Sequence, residues 1–241
     1  MENIESDCSC TEVTSEFWIG VRDSIPLVVG VIPFGITCGI MALTAGLTSG
    51  EALLMSMFVF AGASQFVAIT MLGAGINGWG LIVITTLLIN LRHLLMGVSL
   101  APYIIRLPLY LQALLSFGMV DETYAMSIDR IHKQGYSVSY QMGANIMFYS
   151  AWIVSTAVGV LLNGYISDPL AWGLDFAMPA IFISILIPRL INRVALVVCG
   201  AAALVAVIGA LYLPGKWYII VACLAAAAVG GLMEKEAEHA N

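Results

Sequence analysis

The sequence predicts an all-α polytopic membrane protein of seven or eight transmembrane helices with interrupted central helices. Apolar residues make up 61% of the 241-residue chain and charged residues only 10%, against about 25% charged residues in a soluble domain. The apolar residues form about eight runs that are each suited to cross a bilayer. The net charge of −6 comes from two acidic tails, and nothing in it resembles a nucleic-acid-binding surface.

The chain is predicted to consist of one membrane domain flanked by two acidic tails. Residues 1–16 are expected to form a disordered or loosely attached acidic tail, residues 17–233 the transmembrane domain, and residues 234–241 an acidic C-terminal tail. The start lacks a basic segment followed by a short apolar core, so no signal peptide is predicted. Cys8 and Cys10 lie in the polar tail, and the five cysteines indicate no disulfide framework.

The first apolar run covers residues 25–47 and carries helix-disturbing residues at its centre. Pro33 removes a backbone donor and Gly35 loosens the next turn, so we expect a kink or break there. Gly35 and Gly39 also form a G-x-x-x-G pair, which permits the close approach of another helix.

The second run, residues 52–72, is expected to cross as one helix with a small and polar centre, FAGASQF from Phe60 to Phe66. Small residues followed by serine and glutamine suit interhelical hydrogen bonds. They equally suit the polar lining of a substrate site.

The third run, residues 79–103, places a cation deep in the membrane. At about 1.5 Å per residue, Arg92 lies roughly 16–20 Å from the aromatic residues Trp79 and Tyr103 at the two ends. An arginine side chain cannot reach water over that distance. Arg92 is therefore expected to face a protein interior or a wet cavity and to have a partner.

The fourth run, residues 109–128, supplies that partner. It must return antiparallel, and its acids Asp121 and Glu122 lie about twelve residues from the turn, nearly as far as Arg92 on the other side. We expect one cluster of Arg92, His93, Asp121 and Glu122. Because adjacent helical residues point about 100° apart, Asp121, with its shorter side chain, is predicted to pair with Arg92, and Glu122 to load and release a proton. The alternative is a structural ion pair that only locks two helices.

Four more runs complete the chain: residues 140–162 with Asn145 and Trp152, 170–187 with Asp175 and Pro179, 194–212, and 217–233. Eight spans put both tails on one side, and the loop charges favour the cytoplasm for that side. This count sets Arg22, Arg130, Lys133, Arg189, Arg193 and Lys235 against Arg106 and Lys216. A weak internal echo relates Gly39…Gly46 to Gly159…Gly164.

The motifs favour transport over catalysis. The chain has no G-x-S-x-G, no H-E-x-x-H and no phosphate-binding loop, so we predict no enzyme, cofactor or metal site. A zwitterionic substrate needs a cation or free amides for its carboxylate, which Arg92 or the N–H groups near Gly35 or Gly62 can supply. Asp121 or Glu122 can accept from its ammonium group, and Phe34 and Phe66 can wall an apolar side chain.

Five ordered blocks carry a family resemblance: VIPFG at residues 31–35, FAGASQF at 60–66, NLRH at 90–93, DETY at 121–124 and GLDF at 173–176. The chain resembles the AzlC-type permeases, the large subunits of branched-chain amino acid exporters. The resemblance implies proton-driven export of valine, leucine, isoleucine and sometimes methionine, a prokaryotic plasma membrane location, and a small four-helix partner of the AzlD type.

Two sets of site residues follow from the motifs and the resemblance together. The expected substrate-binding residues are Pro33, Phe34, Gly35, Gly62, Ser64, Gln65, Phe66, Asn90 and Arg92. The expected proton-coupling residues are Asp121, Glu122 and His93. The alternative interpretation is a membrane scaffold or channel subunit whose buried charges are structural.

Overall fold

The computed structural model describes residues 2–76, 78–165, 183, 186–187, 190–212 and 217–239, with side chains from residue 14 to residue 233 except those of 217, 219 and 220. The chain folds as two compact units. The first combines Met1–Gly78 with Ile89–Trp172, and the second combines Trp79–Leu88 with Gly173–Asn241. The sixth apolar run, with Asp175 and Pro179, lies almost wholly outside the described residues.

All regular structure in the described residues is helical, which confirms the predicted class. The helices are α1 (Glu2–Thr44), α2 (Ser49–Phe58), α3 (Gly62–Gly73), α4 (Trp79–Ile104), α5 (Leu109–Phe117), α6 (Asp121–Gln134), α7 (Val138–Leu162), α8 (Arg193–Tyr212) and α9 (Trp217–His239). The ranges Thr14–Thr44, Trp79–Ile104, Val138–Leu162 and Arg193–Tyr212 are long and apolar enough to cross a membrane.

The N-terminal tail differs from the prediction of a disordered segment. Its backbone is helical from Glu2 and continues into α1 without interruption. Residues 2–16 contain no proline or glycine that would end a helix.

The helices α1 and α7 run parallel and in close contact along the first unit. Near the start of α7, Gly20 lies against Tyr140 and Gly143 lies against Phe17, and towards the end of both helices Gly39 lies against Thr156. A Cβ atom on Gly20 or Gly143 would come within 2.2 Å of a backbone oxygen. We call the end of the first unit at which α7 begins the proximal end and the other the distal end.

The break expected in α1 is absent, because the helix continues through Pro33 and Gly35. Gly35 packs on α7 instead, where an added Cβ would lie 1.8 Å from the Ser155 hydroxyl oxygen. Contact with α7 on both sides of Pro33 holds the helix together. The close approach predicted for the Gly35–Gly39 pair is confirmed.

The helices α2 and α3 form a hairpin that enters from the distal end and returns to it. The α2 residue Ser56 reaches Thr156 of α7, with 3.1 Å between the hydroxyl oxygens. The chain reverses at residues 59–61, and α3 ends at Gly73, where a Cβ would lie 3.4 Å from Cβ of Ala45 at the end of α1. The prediction that this run crosses as one helix is therefore wrong.

The helices α5 and α6 form a second hairpin, which enters from the proximal end. Leu111 of α5 lines one cavity with Phe17 of α1 and with Val138, the first residue of α7. Further along, Asn145 Nδ2 donates to the Leu115 carbonyl at 3.0 Å. The chain then reverses at residues 118–120.

The returning helix α6 runs parallel to the end of α4, not onward across the membrane. Arg92 forms an ion pair with Asp121, and the Tyr103 ring lies 5.7 Å from that of Tyr136, just after α6. At this end α6 also reaches α1, since Arg130 bonds Glu16. The fourth run thus returns antiparallel only as far as Asp121, contrary to the predicted crossing.

The two hairpins give the first unit an inverted repeat. The helix α1 runs from proximal to distal and is followed by a distal hairpin, whereas Ile89–Ile104 of α4 runs the other way and is followed by a proximal hairpin. Transporters built from inverted repeats show this pattern. It does not coincide with the weak echo between Gly39…Gly46 and Gly159…Gly164.

In the second unit α8 and α9 pack on each other. A Cβ added to Gly230 would lie 3.6 Å from Cγ2 of Val198, which is ordinary van der Waals contact. The apolar part of α9, Val221–Met233, is shorter than the span of α8.

Candidate functional site

The hairpin tips meet beside the middle of α7. The ring of Phe60, at the α2–α3 tip, lies 6.4 Å from that of Phe117 at the end of α5. Tyr149 of α7 packs edge-on against both, with centroids at 5.1 and 5.8 Å. Phe60 has a φ of +41°, a strained conformation for a bulky residue that is typical of functional sites.

Two helices begin at the tips, and their N-termini differ in charge. The first N–H groups of a helix have no intrahelical partner and form its positive end. The α6 terminus carries its own acids, Asp121 and Glu122, whereas the first turn of α3 holds none. The N–H groups of Gly62, Ala63 and Ser64 precede the first hydrogen bond of α3, so this terminus is suited to bind an anion.

One face of α7 holds both hairpins in place. Asn145 bonds the Leu115 carbonyl of α5, and one turn later the Tyr149 hydroxyl donates to the Met57 carbonyl of α2 at 2.9 Å. Both acceptors lie in the last turn of a helix, where carbonyls lack intrahelical partners. These two side chains therefore cap the inward arms of both hairpins.

A buried hydrogen-bond chain extends from this face into the distal hairpin. Trp152 Nε1 donates to Gln65 Oε1 at 3.0 Å, Gln65 Nε2 donates to Ser56 Oγ at 3.0 Å, and Ser56 meets Thr156. Gly62 lies under the indole, since its Cβ would be 2.9 Å from Trp152 Cη2. This series of hydrogen bonds fixes the position of the start of α3 relative to α7.

The helix α4 ties both tips together. The Ser64 hydroxyl donates to Asn90 Oδ1 at 3.1 Å, and Arg92 pairs with Asp121. The predicted choice of Asp121 as the partner of Arg92 is confirmed. The side chains of Arg92 and Asp121 are 24% and 16% exposed, so the ion pair is partly buried and still accessible from outside the protein. His93 is partly buried on the same helix.

The structure gathers some of the expected site residues and separates others. Gly62, Ser64, Asn90, Arg92 and Asp121 lie at the tips, where Glu122 also begins α6. The other expected substrate-binding residues present no free polar group at the tips. Both amide atoms of Gln65 are hydrogen-bonded, and Phe66 is 2% exposed. Pro33, Phe34 and Gly35 lie on the unbroken helix α1. The free N–H groups expected near Gly35 are thus absent, and those near Gly62 are present.

Sequence reasoning missed the aromatic residues at the tips and the tips themselves. Its available signal was Gly118 followed by Asp121, Glu122 and Thr123, a helix stop and then a helix start. The Thr123 hydroxyl accepts from the Val120 N–H at 3.0 Å and so caps α6. Nothing in the sequence marks Tyr149 as different from an ordinary core tyrosine.

A second ionic cluster closes the proximal end. Arg130 of α6 bonds Glu16 of α1 and lies 5.4 Å above the Tyr140 ring, while the Tyr140 hydroxyl donates to Asp23 at 3.2 Å. In the loop before α7, burial raises the pKa of Tyr136 to about 12. Tyr136 therefore stays protonated and donates to Gln141 at 2.7 Å.

Apart from Arg92 at the tips, the lysine and arginine residues of the first unit lie at the proximal end: Arg22, Arg106, Arg130 and Lys133. The distal turns, residues 45–48, 74–76 and 163–165, contain no lysine or arginine. The eight-span count had assigned Arg106 to the side opposite Lys133. Because the second hairpin is re-entrant, both residues lie at the same end.

Helix interruptions that meet beside a continuous helix, in an inverted repeat, are found in many membrane transporters. The chain belongs to the AzlC protein family, whose model matches residues 26–166. It is 34% identical over 200 residues to the inner membrane protein YgaZ of Escherichia coli K12, covering 80% of each chain. It is 27% identical over 238 residues to the branched-chain amino acid transport protein AzlC of Bacillus subtilis 168, covering 94% of this chain and 90% of the relative. No solved structure matches it.

Proposed function

We propose that this chain is the large subunit of a proton-coupled exporter of branched-chain amino acids: valine, leucine and isoleucine, with methionine as a further substrate. The observation that carries the proposal is the meeting of two re-entrant tips at an acid-free helix N-terminus and an Arg92–Asp121 pair. The name of the Bacillus subtilis relative supports the substrate class.

The tips offer separate surroundings for each part of an amino acid. The substrate carboxylate binds the N-terminus of α3 at Gly62 and Ser64, beside Asn90 and within reach of the Arg92 charge. The ammonium group faces the acidic start of α6. The rings of Phe60 and Phe117 wall the apolar side chain, a role that the sequence had suggested for Phe34 and Phe66.

Proton coupling is assigned to the start of α6. Asp121 is the counter-ion of Arg92. The change of protonation therefore falls to Glu122, with His93 of α4 as the relay. Intramembrane carboxylates and histidines of this kind form proton pathways in transporters.

Cytoplasmic loops carry an excess of lysine and arginine. The basic residues of the proximal end therefore support our proposal that this end, with the N-terminus, lies in the cytoplasm. The C-terminus is proposed to lie on the same side. A small four-helix subunit of the AzlD type completes the exporter.

Counterflow into proteoliposomes tests the function. Vesicles holding this chain and its small subunit, preloaded with unlabelled leucine, should take up labelled leucine saturably, and vesicles holding Arg92→Ala should not. Uptake that never saturates would indicate a channel, and no uptake by any form would indicate a scaffold. Either result would overturn the proposal.

A further inference from the structure

One cavity of the first unit lies away from the hairpin tips, at the proximal end. Its volume is about 360 Å³, and its lining residues are Thr14, Phe17, Leu111, Val138, Ser139 and Met142. They come from α1, α5 and α7, and most are apolar. Small-molecule sites have volumes from about 300 Å³ upward, so this space can hold the side chain of an amino acid.

The cavity continues the α7 face that anchors the hairpins. Val138 and Met142 line it, and the same helical stripe runs on through Asn145 and Tyr149, at alternating steps of four and three residues. Asn145 lies one turn from Met142 and touches the proximal tip, since a Cβ on Gly118 would be 2.7 Å from its own Cβ. The cavity and the proximal tip therefore lie next to each other along one stripe of α7.

Asn145 carries a buried acceptor atom that makes no hydrogen bond to the described residues. Its Nδ2 is committed to the Leu115 carbonyl, but its Oδ1, in a residue only 3% exposed, has no hydrogen-bond partner among the described residues. A buried acceptor left without a donor costs about 1–3 kcal/mol. Its natural partner is a donor that arrives with a ligand, and the ammonium group of an amino acid is such a donor.

We propose that the Leu111–Val138–Met142 cavity and Asn145 Oδ1 form a cytoplasmic entry subsite for an amino acid with an apolar side chain. The side chain occupies the cavity, and the ammonium group donates to Asn145 Oδ1. The first arm of the proximal hairpin, α5, contacts this subsite through Leu111 and Leu115. The inference rests on the proposed transport of branched-chain amino acids.

The test uses Met142→Cys in a chain whose native cysteines are replaced by serine, assembled with its partner in membrane vesicles. A membrane-impermeant thiol reagent should label Met142→Cys from the cytoplasmic side, and leucine should slow the labelling several-fold while aspartate does not. Val138→Cys is the second probe if Met142→Cys folds poorly. Ile146→Cys is the matched control, because Ile146 lies one turn along α7, is 47% exposed and does not line the cavity. It should give no leucine-sensitive labelling.

Two variants of Asn145 isolate the acceptor. Asn145→Leu and Asn145→Asp both lose the donor to Leu115, but only the leucine variant loses the acceptor. Asn145→Leu should therefore raise about tenfold the leucine concentration that protects Met142→Cys from labelling. In Asn145→Asp that concentration should stay close to the value measured with Asn145 unchanged. Equal behaviour of the two variants would overturn the role of Asn145.

Failure of this inference is distinguishable from failure of the proposed function. Suppose that the chain without these cysteine substitutions shows leucine counterflow. If Met142→Cys and Val138→Cys are then not labelled, or are labelled equally with and without leucine, the entry subsite is refuted while the proposed transport stands. If the parent shows no counterflow, the proposed function itself fails and the subsite with it.

Discussion

The contact between Gly62 and Trp152 makes a sharp test of the distal hairpin. In Gly62→Ala the new methyl group would lie 2.9 Å from Trp152 Cη2, so the indole or the start of α3 must shift. Overpacking of this kind costs about 1–3 kcal/mol. A shift of the indole also weakens its bond to Gln65, whose net contribution is about 0.5–1.5 kcal/mol. We expect a loss of about 2 kcal/mol in the free energy of unfolding.

The matched control is Gly30→Ala in α1. Gly30 is exposed, and an added Cβ would meet nothing within 4 Å. Replacing a helical glycine with alanine in open space stabilises a helix by about 0.5–1 kcal/mol. Thermal unfolding in detergent and leucine counterflow should therefore separate the two variants, with transport reduced at least about tenfold only in Gly62→Ala.

A double-mutant cycle ties the effect to this contact. Trp152→Phe removes the Cη2 atom, so the methyl group of Gly62→Ala should be tolerated far better in that background. The expected interaction energy between the two changes is about 0.5–3 kcal/mol. If the two destabilisations simply add, the indole does not limit the space over Gly62, and the reasoning about the α3 N-terminus is refuted.

Three further predictions concern the tips. Arg92→Ala should abolish leucine transport in a protein that still inserts, and if removing Asp121 as well restores transport, the pair is structural. Glu122→Gln should lose export driven by a pH gradient but keep leucine exchange at equal pH, and the opposite pattern would exclude Glu122 as the proton carrier. Tyr149→Phe, which keeps the ring but loses the bond to Met57, should unfold about 1 kcal/mol more easily with an unchanged half-saturation for leucine, and a large rise in that value would contradict a purely capping role.

The helical class, the bounds of α4, α7 and α8, and the Arg92–Asp121 pair could be predicted from the sequence, because they depend on local hydropathy and on counting along the chain. The counting worked for Asp121 because α5 does return antiparallel to α4 from the turn to the tip, where the depth argument applies. Beyond Asp121 the same argument failed, since distance from a turn fixes depth but not the direction of the following helix.

The re-entrant tips were not predicted because the strongest local signals for a helix break lay elsewhere. Pro33 and Gly35 are stronger helix breakers than Phe60 or Val120, yet α1 stays whole where α7 packs against it. The tips are held by tertiary bonds from Asn145 and Tyr149 to carbonyls of distant helices. No local pattern specifies such partners.

The central claim, that two hairpins enter from opposite ends and meet, is tested most directly by the sidedness of four single cysteines. With impermeant thiol labelling in intact and inverted vesicles, Ala74→Cys should react from the same side as Leu47→Cys, and Arg106→Cys from the same side as Lys133→Cys, with the two pairs on opposite sides. Labelling of Ala74→Cys on the side opposite Leu47→Cys, or of Arg106→Cys on the side opposite Lys133→Cys, would mean that the corresponding hairpin crosses the membrane, and would contradict the account.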